Sequence, residues 1–251
     1  MTTAETLGGF DTGRVVSRAI GVLRRNLLGF LSLSALLVGV PGVALAYLNT
    51  RVADQNSPTD ISPETWGFWG ASMVVALFGG ILLKGAVTHG ALADLGGKPA
   101  PFGENVSRGL DDSLMLLALG VLTTLGIMVG LVLLVIPGVM LAMVWSMVIP
   151  VRVSERLNVL DSIARSRELT RGRRGEIFGL AAVYSIAQAV IAWLAGLVAT
   201  ALGNEPFALL IQPAIEVVAG VIGAVGIVSI YCELRWSQEG APADSLAAVF
   251  D

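Results

Sequence analysis

Cysteine and histidine occur once each, as Cys232 and His89. One of each cannot make an internal disulfide, a Cys/His zinc cluster or a haem-attachment pair. Charged residues are scarce as well: 14% of the chain against 55% apolar residues, too few to coat a soluble domain of 251 residues. A net charge of -3 offers no basic excess for nucleic acid, which is not expected as a partner. No Ser or Asp/Glu stands at triad-like spacing from His89, so no catalytic set is visible, and neither a cofactor nor enzymatic activity is expected. Gly96-Gly97-Lys98 imitates a phosphate-binding loop, but Leu92 occupies the place of its first glycine and Pro99 that of the magnesium-holding Ser/Thr.

The apolar residues gather into six runs: 27–48, 66–93, 114–136, 138–151, 177–202 and 207–232. Five of them exceed the roughly 20 residues that cross about 30 Å of hydrocarbon. Run 138–151 falls short unless its helix continues past Pro150 to about Arg156, with Arg152 and Arg156 snorkelling to the headgroups. Pro137-Gly138 predicts a tight hairpin turn between the third and fourth runs. The expected fold is an all-α membrane protein of about six transmembrane helices, paired as three hairpins across residues 27–232. Short amphipathic helices are expected within 1–26 and near 104–112 and 159–171, with a tail over 233–251. Ala44-Leu45-Ala46 resembles a signal-peptidase site, but its run is longer than a leader core and follows a polar stretch, so an uncleaved span is expected.

Charge sets the expected topology. With six spans, both termini and the second and fourth loops share one side, and that side holds Arg14, Arg18, Arg24, Arg25, Lys98, Arg108, Arg235 and the arginines from Arg156 to Arg174. The other side has Arg51 beside Asp54, Asp60, Glu64 and Glu205. The positive-inside rule makes the termini cytoplasmic. Dropping the fourth span would move the densest arginine segment across the membrane, so parity supports that span. Ser17-Arg18, Ser107-Arg108 and Ser166-Arg167 each precede an odd-numbered span, a spacing that suggests three repeated units of amphipathic helix and hairpin.

Ile136-Pro137-Gly138, the run closing at Pro150, and then the stretch from Asp161-Ser162-Ile163-Ala164-Arg165-Ser166-Arg167-Glu168-Leu169 to Thr170-Arg171-Gly172 form a recognisable pattern. With Tyr231-Cys232-Glu233-Leu234-Arg235 and Glu239-Gly240 near the end, the chain from about Arg14 to Gly240 resembles the YciC-like bacterial membrane proteins. It is similar also to the membrane domain attached to some glycerophosphoryl diester phosphodiesterases. The resemblance implies a multi-span protein of the bacterial inner membrane. It carries over no catalytic residue, because the soluble phosphodiesterase domain is missing from this sequence.

Glu216 is the sharpest candidate for chemistry. Counted from a helix start at Phe207 it lies near the midplane, where an ionisable group marks a proton or cation site, and Gln188, Thr123, Thr124 and Ser146 fall at comparable depth as a polar layer. If the helix starts instead near Gln212, Pro213 occupies its first turn and Glu216 complements its positive end at the outer interface. Lys84 and His89 are expected to anchor the second span at the cytoplasmic face, Trp66 and Trp69 to join the outer aromatic belt, and Trp236 the inner one.

Gly126-x-x-x-Gly130, and Gly220, Gly223 and Gly226, permit close helix contacts, either within the chain or along a homo-oligomer seam. Between Arg152 and Glu176, seven arginines against four carboxylates leave a net +3. Arg171, Arg173 and Arg174 are the candidate contacts to anionic lipid in the cytoplasmic leaflet, unless they serve topology or pair with nearby carboxylates. Two functions follow from these residues: a scaffold that assembles with itself or a membrane-protein partner and touches the leaflet, or a transporter or channel with Glu216 in its pathway.

Overall fold

The computed structural model describes residues 9–55, 63–97, 113–202 and 205–240. They are all-helical, and six helical stretches are long and apolar enough to cross a membrane: Thr12–Arg51, Thr65–Leu95, Ser113–Leu133, Val135–Glu155, Arg174–Ala201 and Leu209–Glu239. The helices are α1 (Thr12–Ser34), α2 (Val40–Gln55), α3 (Pro63–Leu95), α4 (Ser113–Leu133), α5 (Val135–Trp145), α6 (Val148–Glu155), α7 (Val159–Leu169), α8 (Arg174–Leu202) and α9 (Glu205–Glu239). The predicted amphipathic helix at 104–112 lies outside the described residues.

Prolines explain most of the punctuation. Pro41 has no N–H to give the Leu37 carbonyl, and its ring would strike that carbonyl in a regular α-helix. The backbone widens just before it into a π turn, Ala35–Gly39, in which the Val40 N–H reaches the Ala35 carbonyl. α1, the π turn and α2 thereby form one continuous span, and the stretch expected as a separate amphipathic helix within 1–26 is its first turns.

Pro150 acts likewise on Ser146: the chain breaks at Met147 (φ -92°, ψ 4°), and α5 and α6 together make the fourth span. That span does continue past Pro150, ending where Arg156 turns left-handed (φ 51°). Arg152, however, is buried and donates to the Leu157 carbonyl at 2.8 Å, so it does not snorkel. The hairpin between the third and fourth spans turns at Leu134, extended at φ -159° and ψ 132°, and not at Pro137-Gly138. Pro137 sits in the first turn of α5, where its missing N–H is harmless. Gly138 has a different task. A Cβ there would lie 2.5 Å from the Leu131 backbone nitrogen, so only glycine lets the two arms touch. Gly126 faces the Trp145 ring in the same hairpin, which makes that glycine pair an intramolecular contact.

One end of the bundle carries most of the described charge. Glu233, wholly buried on α9, accepts from Arg14 at 2.7 Å, from Arg18 at 3.4 Å and from the Asp11 backbone at 3.1 Å. Arg25 pairs with Asp94 at 2.7 Å, and Arg14 also stacks on Trp236 at 4.3 Å. Arg165 joins Glu155, Glu168 and Glu239, while Arg235 holds the other oxygen of Glu239. Residues 233–239 therefore continue α9 as a packed helix, where a tail was expected.

The buried core lies in this charged half, with Val22, Leu83, Val87, Leu116, Val225 and Tyr231 among its members. In the far half, α2, the start of α3 and the start of α9 expose Val40, Trp66, Met73 and Leu210. Trp66 and Trp69 meet edge-to-face at 5.7 Å there. Of the Ser-Arg pairs, Ser17 is exposed with Arg18 paired, whereas Ser166 is buried with Arg167 exposed. The two described copies thus occupy opposite environments and do not behave as equivalent units.

Candidate functional site

The predicted polar layer divides between two hollows. Thr123, Thr124 and Ser146 line a cavity of about 260 Å³ enclosed by α3, α4, α5, α6 and α9, and the charged group facing it is Lys84. Glu216 lines a separate hollow of about 340 Å³, formed with Leu37, Pro41 and Gly42 at the π turn and with Ser72 and Ala76 of α3. Gln188 joins neither lining. It lies one turn beyond Tyr184, whose hydroxyl donates to the Ala219 carbonyl at 2.7 Å and packs against Gly223.

Glu216 is exposed and accepts a 3.3 Å hydrogen bond from Gln212. α9 starts at Glu205 and carries Pro213 in its interior, so Glu216 caps no helix start. It lies 11 residues, about 16 Å, into a 35-residue helix roughly 52 Å long. Centred on about 30 Å of hydrocarbon, such a helix places Glu216 about 5 Å inside the far interface, shallower than the midplane.

Lys84 is deeper than its sequence position suggested. The Asp94–Arg25 ion pair marks the charged boundary, and Lys84 lies ten residues, about 15 Å, below Asp94 on α3. It is exposed towards the open side of the cavity. Sequence reasoning placed this lysine at the interface because the end of its apolar run was taken for the membrane surface. The available signal was the ten-residue separation of Lys84 from Asp94, about three turns of one helix. His89, by contrast, is buried.

The arginine segment separates into two groups. α7 is capped by Asn158, whose side chain accepts from the Asp161 N–H at 2.9 Å, and Gly172 (φ 82°) lies in the turn beyond its end. Its inner face is Ser162, Ser166 and Leu169, with the Ser166 hydroxyl donating to the Val144 carbonyl at 2.7 Å. Arg165 points to carboxylates. Burial opposes its charge, but hydrogen bonds to Glu168 and Glu239 and the fields of Glu155 and Glu239 outweigh that and push its pKa up.

The opposite face presents Leu160, Ala164, Arg167 and, beyond the last turn, Arg171, all exposed. Of the predicted lipid contacts, Arg173 pairs with Glu176 at 3.3 Å, Arg174 has its Nε buried, and Arg171 is the one with neither constraint. Among the described residues no group of three or more His, Cys, Asp or Glu is placed to hold a metal ion. Neither a family model, a curated protein nor a solved structure matches this chain.

Proposed function

We propose that this is a non-enzymatic protein of the bacterial inner membrane, kin to the YciC-like proteins, with both termini cytoplasmic, and that it works as a scaffold contacting the anionic leaflet. The supporting observation is the outward face of α7. Leu160 is 73% exposed there, and Ala164, Arg167 and Arg171 follow at i+4, i+7 and i+11, an apolar edge beside two cations that carry no ion pair among the described residues.

α8 supports self-assembly or a membrane partner: 6% of its most apolar stretch is buried against 44% in α9, so its flank is available to another helix as well as to lipid. The test is binding of phosphatidylglycerol to the purified protein. Arg167→Gln with Arg171→Gln should weaken it by up to about thirtyfold, at about 1 kcal/mol per basic group, with the difference shrinking at high salt. Unchanged lipid binding in a folded variant defeats the leaflet contact. Cysteines introduced at Ala164, on the exposed face of α7, and at Glu205, in a Cys232→Ser background, test the orientation: only the second should label from outside, and the first only after permeabilisation.

A second reading is a carrier for a small solute or ion. The Glu216 hollow favours it, because it sets an acidic group beside an irregular helix turn. Its test is a vesicle flux abolished by Glu216→Gln; a flux that survives the change defeats this reading.

A further inference from the structure

We infer that the Lys84 cavity binds an amphiphilic anion, with the negatively charged headgroup at the Lys84 ammonium and the apolar tail leaving sideways into the bilayer. Lys84 carries no hydrogen bond or ion pair among the described residues, and no carboxylate belongs to the cavity lining. An ammonium about 15 Å below the charged boundary favours a counter-charge, and none of the described residues supplies one.

The polar groups around it favour an anion over a cation. The first turn of α6 (Val148, Ile149 and then Pro150) forms part of the wall, and a helix start has backbone N–H groups without intrahelical acceptors and the positive end of a dipole. Thr88 and Thr124 add hydroxyls, whereas Thr123 and Ser146 have spent their protons on the carbonyls of Leu119 and Met143.

Size and opening choose among anions. A cavity of about 260 Å³ holds a headgroup and not a whole lipid, and its remaining lining is apolar, including Ile81, Ile127, Trp145 and Ile227. Lys84 is exposed at a depth where the surroundings are acyl chains and not water, so the mouth is lateral. A free inorganic ion would enter that mouth without its hydration shell; an amphiphile arrives through the bilayer with its tail already in place.

Trp145 in the wall supplies the readout. The protein in phosphatidylcholine nanodiscs is titrated with brominated palmitate, and the quenching component that disappears in Trp145→Phe is followed. That component should saturate, weaken about tenfold or more in Lys84→Met, and persist in Lys84→Arg. Unlabelled palmitate should reverse it, and acetate should not. So that a folding defect in Lys84→Met does not decide the outcome, the ligand is varied too: brominated methyl palmitate, which lacks the charge, should bind the unaltered protein about tenfold or more weakly. Equal binding of acid and ester, or of wild type and a folded Lys84→Met protein, overturns the site. Displacement by acetate as effective as by palmitate overturns the amphiphile and leaves a small-anion site.

Discussion

The charged half of the bundle and the far half are made of the same long helices, held by different forces. In the charged half, α1, α3 and α9 bury Val22, Leu83, Val87 and Val225 and are tied by Arg14 and Arg18 to Glu233 and by Arg25 to Asp94. In the far half, α2, α3 and α9 keep Val40, Met73 and Val218 exposed. Lipid explains how one chain tolerates both. Apolar surface left facing acyl chains carries no hydrophobic penalty, so association inside the bilayer rests on close packing and on polar contacts. The described ion pairs between helices lie at one end, and the buried core lies with them.

The largest effect should come from cutting the central tie. Glu233 is 0% exposed and accepts from three donors, so Glu233→Gln leaves two guanidinium groups facing an amide. Breaking a buried ion pair by removing one partner costs on the order of 3 kcal/mol. Detergent-solubilised protein should show that loss in SDS titration of its helicity, with the end of α1 near Arg14 becoming sensitive to protease. A loss below about 1 kcal/mol would mean that the two halves are held equally.

That tie was invisible in the sequence, although the spans were not. Six apolar runs correspond to the six helical stretches of spanning length, and the short fourth run reaches that length by continuing past Pro150, because run length is a local property. Glu233 and Arg14 are separated by 219 positions, and nothing local links them; Glu233 was read as the start of a tail because the apolar run ends at Cys232. The turn at Leu134 was misplaced for a related reason. Pro137 and Gly138 are turn-formers in isolation, but a proline in the first turn of a helix is unstrained, and the glycine answers the other arm of the hairpin. The place of Lys84 in the cavity wall was not legible either, since the packing of α3 against α4 and α6 is not a local property.

A middle-sized effect should come from packing alone. Gly138→Ala puts a methyl carbon 2.5 Å from the Leu131 backbone nitrogen, which no side-chain rotation can relieve. Overpacking of this kind costs about 2 kcal/mol. Gly196, with nothing near its Cβ direction, is the control on α8: Gly196→Ala should be neutral or stabilising by up to about 1 kcal/mol, since alanine is the better helix former. Thermal unfolding in one detergent compares the two directly. Equal effects would show that the hairpin contact between α4 and α5 contributes no stability of its own.

The smallest effect is expected at Glu216, where the far half is tested against the charged half by the same chemical change. Glu216→Gln, like Glu233→Gln, exchanges a carboxylate for an amide of similar shape. Glu216, however, is exposed, lies about 5 Å inside the interface where a side chain can reach headgroups, and accepts one hydrogen bond, from Gln212 one turn back. It does not start its helix, so no capping energy is at stake. The change should stay within about 0.5 kcal/mol in the SDS titration used for Glu233. A loss approaching that of Glu233→Gln would place a structural tie in the far half as well. An unchanged stability combined with a lost vesicle flux would turn the hollow beside the π turn from a gap in loose packing into a transport pathway.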